Sequence, residues 1–378
     1  VTAPIALFRP VVAEEAVLAA AEVLRSGWPG PGPAVERFED AFAARVGAPH
    51  AVAVSSGTAA LHLALRLLDL EPGDEVIVSP ITFVGANEVV LQMGCVPVFA
   101  DVHPCTGLVE PDAVAAAIGP RTTAIVATHL TGRPADLAAL YALAERHDLA
   151  LVEDAAHACG SSLRGAPIGS HAGSQAFSFQ ATKNLTTVDG GMLCVRTAAE
   201  AERARRLRWM GIDRCTWERH DASGYQWAYD VDEVGHKYAM HDVAATIGLH
   251  QLAHLDAGND RRRQIAGRYQ AELADLPGVS VAPGEPEAVS ATYLATALVD
   301  ERDALLDALA LDHIAAGVHY RRNDEHRVFG GRRDLPGAER YWRRTVSLPC
   351  HLALTDDEIE RVIGCVRRWA LTRAPARS

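Results

Sequence analysis

Ala51-Val52-Ala53-Val54-Ser55-Ser56-Gly57-Thr58-Ala59-Ala60-Leu61 is an apolar, partly β-branched run, then a Ser-Gly turn, then an Ala/Leu-rich segment extending to position 70. Such a change of pattern within eleven residues reads as a buried strand feeding a helix. It recurs outward in both directions. Residues 75–78, 96–99, 124–127, 150–152, 176–179 and 192–195 are further strand candidates bounded by Gly, Pro or Asp, and helical patterns occupy 82–92, 111–118 and 136–147. Strands that alternate with helices imply a mainly parallel sheet covered on both faces. The helix after Ala135 begins at Asp136, an N-cap ahead of Leu137, Leu140 and Leu143.

Beyond residue 213 the pattern changes to Trp, Tyr, Asp and Gly without a period, predicting a long ordered loop over 213–237. A continuous helix is expected over 242–276, then strands at 279–281 and 292–299, a helix at 302–311 and a last helix at 356–371. The expected division is residues 1–256 as a large α/β domain and 257–378 as a smaller α+β domain.

The chain has 378 residues, 49% of them apolar and 22% charged, which excludes intrinsic disorder. A net charge of −12 argues against nucleic acid as a partner. Seven scattered cysteines without a C-x-x-C pair suit a reducing compartment. Neither a signal peptide over residues 1–10 nor a run of ~18 apolar residues is visible, so a cytoplasmic protein without membrane contact is expected.

Three segments could carry chemistry. Ser56-Gly57-Thr58 lies between strand and helix, where first-turn N–H groups and the helix dipole can hold a phosphate; an ordinary capped turn explains it equally well. Glu153-Asp154 ends a buried strand three residues before His157. In open α/β sheets ligands sit beyond the carboxyl ends of strands. Asp154 could therefore be a metal ligand, a general base or the partner of a cationic ring, or simply a helix cap. Lys183 follows Phe177-Ser178-Phe179-Gln180-Ala181-Thr182 and is one of only two lysines, the other being Lys237. A chain that uses arginine almost everywhere is using an amine here where a guanidinium cannot serve. A desolvated lysine becomes a nucleophile able to form an imine; the plainer alternative is a surface hairpin residue. Anion cradle, carboxylate and imine-forming lysine together are what pyridoxal 5′-phosphate (PLP) requires.

The residues quoted, with Phe38-Glu39, Pro72-Gly73-Asp74-Glu75-Val76, Thr82-Phe83, Lys183-Asn184-Leu185-Thr186-Thr187, Gly235-His236-Lys237-Tyr238, Val318-His319-Tyr320 and Ser347-Leu348-Pro349, resemble the DegT/StrS family of PLP-dependent sugar aminotransferases over nearly the whole length. The resemblance implies a fold-type I aminotransferase: a large domain with a mainly parallel seven-stranded sheet flanked by helices, plus a smaller α+β C-terminal domain. It further implies that Lys183 bonds the cofactor and moves protons, with pyridoxamine 5′-phosphate as the form between two half-reactions. Asp154 would pair with the ring nitrogen and Phe83 would stack on the ring. Gly57, Thr58 and Ser178 would hold the phosphate, His157 would lie near the ring oxygen, and Lys237 would reach the phosphate from the other subunit of a homodimer. Gln180, His319 and Tyr320 would face substrate, and no metal is implied.

In function, the resemblance implies transfer of an amino group from L-glutamate to a nucleotide-linked sugar in deoxyamino sugar biosynthesis. The Gly-x-Lys-Tyr motif and His157 favour a 4-keto-6-deoxy sugar over a 3-keto one. A keto-cyclitol aminotransferase and a non-catalytic PLP-fold regulatory protein are the alternatives. Lys183 argues against the lysine-lacking dehydratase branch. Arg321-Arg322-Asn323-Asp324 departs from the Arg-Pro-Leu-His frequent in relatives and is expected to border the sugar nucleotide. Outside these motifs, His250 and His254 sit one helical turn apart, but no third ligand has a suitable spacing and a surface pair suffices.

Overall fold

The computed structural model describes residues 3–213, 220–221, 224–225, 227–282, 284 and 286–373. Much of the expected loop over 213–237, Trp217 included, therefore lies outside the described residues. Seven strands form the main sheet: β1 (His50–Val54), β2 (Glu75–Val78), β3 (Val96–Phe99), β4 (Thr122–Thr128), β5 (Ala150–Asp154), β6 (Ser174–Ser178) and β7 (Gly191–Val195). Their spatial order is β1-β7-β6-β5-β4-β2-β3. Strands β2 to β6 are mutually parallel, whereas β7 runs antiparallel to both neighbours. A tight return suffices for an antiparallel neighbour, while parallel neighbours need a crossover. The twelve residues from 179 to 190 therefore form the return between β6 and β7, with Ser178 paired to Gly191 across its base. Lys183 rides on that return at the carboxyl end of the sheet.

Period-two alternation sends apolar side chains to both faces. Val52, Val54, Val76, Val78, Val126 and Val152 enter one core beneath the Gly57–Arg66 helix. Ala51, Ala53, Phe177 and Met192 enter a second core with Phe38 and Phe42 of the Pro33–Val46 helix. That helix is also held by Glu39, buried at 3% exposure, which accepts from the Ala53 N–H at 2.9 Å and pairs with Arg205 at 2.8 Å and with Arg208.

A separate antiparallel sheet joins Val279–Ser280, Ala295–Val299 and Thr345–Leu348. It shares a core with the Arg302–Leu311 and Asp356–Arg373 helices, and Ile5 from the start of the chain enters the same core. The Ile5 N–H donates to His313 O, and the Ala315 N–H donates to Ile5 O, both at 2.9 Å.

Two elements differ from expectation. The helix over 242–276 is two helices, Asp242–Leu252 and Leu255–Leu273. Between them the N–H groups of Ala253 and His254 donate to carbonyls three residues back. This break lets Leu255 serve the main core while Ile265, Tyr269 and Leu273 serve the other. The helix expected over 82–92 starts only at Gly85, so Thr82 and Phe83 remain in the loop after β2, beside the carboxyl edge of the sheet. Among the described residues no helix is long and apolar enough to cross a membrane.

Candidate active site

A cavity of about 490 Å³ opens at the carboxyl edge of the main sheet. Gly57, Thr58, Phe83, Asp154, His157, Ser178, Gln180, Lys183, His319 and Tyr320 all line it. The topology explains the gathering, because the ends of β1, β2, β5 and β6 and the return carrying Lys183 converge there.

Glu153 and Asp154, adjacent on β5, face opposite ways, as strand alternation demands. Glu153 is wholly buried and accepts three side-chain hydrogen bonds, from His129 Nε2 at 2.9 Å, Tyr141 Oη at 2.6 Å and Gln175 Nε2 at 2.9 Å. His129 Nδ1 accepts from the Ala135 N–H at 3.0 Å, which leaves its proton on Nε2 for Glu153. Glu153 is thus an internal strut. Asp154 faces the cavity with longer contacts, accepting from the Ala156 N–H at 3.2 Å and from the hydroxyls of Thr82 and Thr128 at 3.4 Å each. Burial pushes its pKa up, and the Ala156 N–H and the positive charge that Lys183 carries when protonated oppose this only in part.

Lys183 is the complement. Burial lowers its amine to about 7 in spite of the attraction of Asp154, so near neutrality much of it carries a free lone pair. Its Nζ lies 4.2 Å from the centroid of the Tyr293 ring. The Tyr293 hydroxyl lies 2.9 Å from Thr182 Oγ1, whose own proton goes to Gln180 Oε1 at 2.8 Å, so Tyr293 donates to Thr182. This chain fixes both the tyrosine beneath the amine and the Gln180 side chain.

His157 is held neutral, chiefly because burial lowers its basicity, and the cationic forms of Lys183 and His319 oppose a second positive charge beside them. Its Nδ1 accepts from the Thr131 N–H at 3.3 Å, which places the proton on Nε2, 3.2 Å from the Tyr320 hydroxyl oxygen. The Tyr320 proton is then free to point elsewhere in the cavity. His319 is also neutral, lowered to about 4 mainly by burial, with Nδ1 2.9 Å from Ser347 Oγ.

At the opposite end of the cavity, Ser56 caps the Gly57–Arg66 helix by accepting from the Ala59 N–H at 3.1 Å. The first-turn amides of Gly57 and Thr58 have no carbonyl of their own helix to bond. A Cβ on Gly57 would come within 2.7 Å of Ser178 Cβ and 3.1 Å of its Cα, so only glycine brings this helix start so close to the end of β6. These groups fit PLP: an anion cradle at one end, an under-bonded buried carboxylate for a ring N–H in the middle, and alongside an amine that loses its proton near neutrality.

Lys237 does not line the cavity within one chain. It is exposed, and its ammonium stands 3.1 Å above the Trp209 ring. Arg322, Asn323 and Asp324, expected to border the sugar nucleotide, are buried instead, at 1%, 1% and 0% exposure. Arg322 bonds both carboxylate oxygens of Asp324, at 3.1 and 2.7 Å, reaches Glu339 at 2.9 Å and donates to Arg333 O at 2.8 Å. The segment is an internal clamp on its own loop. His254 pairs with Glu15 at 2.6 Å, and no His, Cys, Asp and Glu cluster suited to a metal occurs among the described residues. Sequence reasoning missed Phe8 and Tyr293, whose rings stack at 5.8 Å in the cavity wall. Neither carries a local motif. Ser56 was in view as part of the turn and serves as its cap.

The sequence profile of the DegT/DnrJ/EryC1/StrS aminotransferase family matches residues 10–367. The chain is 40% identical over 370 residues to the spore coat polysaccharide biosynthesis protein SpsC of Bacillus subtilis, covering 95% of each. Among solved structures it resembles the sugar aminotransferase CalS13 from Micromonospora echinospora, with TM-score 0.89 and 34% identity over 96% of this chain and 99% of the other. It is likewise similar to Spr1654 from Streptococcus pneumoniae, solved in a PLP-form (TM-score 0.91, 27% identity, 98% and 99% coverage) and in a PMP-form.

Proposed function

This chain belongs to the DegT/DnrJ/EryC1/StrS aminotransferase family and is a PLP-dependent sugar aminotransferase, and from that premise we propose that it moves the amino group of L-glutamate onto a nucleotide-linked 4-keto-6-deoxy sugar, working as a homodimer with its sites at the subunit interface. The observation that carries the catalytic part is the buried Lys183 amine, its basicity lowered toward neutrality, in one cavity with buried Asp154 at the carboxyl ends of β5 and β6. Gly235-His236-Lys237-Tyr238 and His157 support the choice of a 4-keto acceptor.

Bound PLP supplies an aldehyde and an electron-accepting pyridinium ring. Lys183 Nζ takes up the proton at the donor's α carbon and, in the reverse sense, returns one to the acceptor carbon. A lysine near pKa 7 suits both directions, since neither of its protonation states is scarce at neutral pH. The carboxylate of Asp154 holds the ring N–H, and its burial keeps water from competing for that bond. The Gly57 and Thr58 amides and the Ser178 hydroxyl would bind the phosphate, and Phe83 would pack against the ring. His157 and Tyr320 orient polar atoms on the ring's oxygen side, and Gln180 and His319 face the sugar. Lys237, outside the cavity of its own chain, reaches the phosphate of a second copy.

The test is product formation. Purified protein with L-glutamate and a panel of 4-keto sugar nucleotides, 3-keto sugar nucleotides and keto-cyclitols is expected to release 2-oxoglutarate over many turnovers, beyond the single equivalent of the first half-reaction, only with the 4-keto-6-deoxy class. Turnover of a 3-keto sugar or a cyclitol instead overturns the substrate assignment, and no turnover with any member overturns the proposal.

A further inference from the structure

Beside the cofactor cavity, and sharing Phe8, Thr182 and Lys183 with it as walls, is a second cavity of about 330 Å³. Its floor holds Arg262, 6% exposed, whose Nε and Nη1 are buried without a hydrogen-bond partner. A buried guanidinium is ordinarily paired, because leaving its N–H groups without acceptors costs heavily. The neighbouring arginine shows the contrast: Arg261 is occupied by Asp356 at 2.8 Å and by Leu354 O at 3.1 Å. Among the described residues no Asp or Glu lines this cavity, whereas Arg9, Arg261, Arg262 and Lys183 do. The cavity therefore offers no carboxylate to Arg262, an arginine that lacks its anion.

We propose that this cavity is a carboxylate subsite in which Arg262 binds the amino donor. The inference rests on the reading of the protein as a glutamate-dependent transaminase and adds the residue that recognises the donor. Three observations carry it. A planar guanidinium fork matches a carboxylate. The cavity lies at the small end of ligand sites and suits a short dicarboxylic acid better than a nucleotide sugar. Lys183 stands in the walls of both cavities, so the cavity that holds Arg262 borders the reactive amine. A carboxylate seated at Arg262 therefore occupies a cavity that the lysine responsible for moving the donor's proton also lines.

The probe is glutarate, which has both carboxylates of glutamate and no amine, so its binding involves no turnover. Calorimetric titration into the PLP-loaded wild type, Arg262→Gln and Arg262→Lys is expected to show affinity lost by roughly 10- to 100-fold in the glutamine variant and partly kept in the lysine variant. Thymidine and uridine diphosphates, titrated in parallel, should bind all three proteins within about twofold, as expected if the subsite does not serve the pyrophosphate. Unchanged melting temperatures and cofactor absorbance establish that the variants are folded, and Arg262→Lys keeps the test open if the glutamine variant is not. Equal glutarate affinity in all three, no glutarate binding to the wild type, or loss of diphosphate binding in its place overturns the proposal. If wild type makes 2-oxoglutarate yet ignores glutarate, the subsite is wrong and the transaminase reading stands. If glutarate binds through Arg262 but no sugar is aminated, the acceptor assignment fails and the subsite stands.

Discussion

Replacing each of the adjacent carboxylates on β5 should separate folding from function, with effects of opposite sign. Glu153→Ala removes the only acceptor, among the described residues, of the His129 Nε2 proton and of the Tyr141 hydroxyl proton, while Gln175 Nε2 keeps Gly173 O at 2.6 Å. Two buried donors are orphaned, at ~1–3 kcal/mol each, so a loss of about 2–6 kcal/mol is expected. Asp154→Asn acts in the other direction. The folded-state pKa of Asp154 is raised, so the native state binds more protons than the unfolded chain just above the ordinary Asp value, and stability falls as pH rises through that window. Above the window the ionised carboxylate is a standing penalty that the amide removes. The cofactor-free Asp154→Asn protein should therefore be at least as stable as wild type at pH 7–8, yet have lost nearly all turnover. The assays are urea denaturation of cofactor-free proteins and aminotransfer by the loaded ones. The reasoning is refuted if Asp154→Asn destabilises as much as Glu153→Ala, or if Glu153→Ala leaves stability intact while abolishing turnover.

Three further outcomes are expected. Because Lys183 is lowered from its ordinary value to about 7, the unfolded chain binds the extra proton between pH 7 and the usual lysine range. Cofactor-free wild type should therefore gain stability as pH rises across that interval, and Lys183→Met should flatten this slope in thermal melts at stepped pH. Asp324→Ala leaves Arg322 charged and buried with Glu339 as its remaining carboxylate partner, and should cost about 3–5 kcal/mol in denaturation, whereas replacing both residues with leucines should cost less. Mixing inactive Lys183→Ala chains with Lys237→Ala chains should restore activity, because one site of each mixed dimer then has Lys183 from one chain and Lys237 from the other; no recovery on mixing refutes the shared site.

The sheet was legible because most of its strands carry β-branched or other apolar side chains to both faces, and the strand-turn-helix unit at Ala51–Leu61 needs no partner to declare itself. Lys183 stood out by the scarcity of lysine, and Asp154 by ending a buried run. What could not be read are contacts between distant segments. Tyr293 and Phe8 meet under Lys183 from positions more than a hundred residues away on either side, and Ile5 completes a core built from the last third of the chain. Nor does a charged string announce which way it faces: Arg322-Asn323-Asp324 looks like a polar surface, yet a bidentate pair lets it turn inward. The break at Ala253–His254 is hidden for the same reason. Helical periodicity continues through it, and only the need to supply two cores divides the helix.

The measurement that bears most directly on the account is borohydride reduction of the PLP-loaded protein followed by peptide mass mapping, since the chain holds only two lysines. The pyridoxyl group is predicted on Lys183, with Lys237 unmodified and no incorporation into Lys183→Ala. A label on Lys237, or none on either amine in a protein that still transfers amino groups, would contradict it.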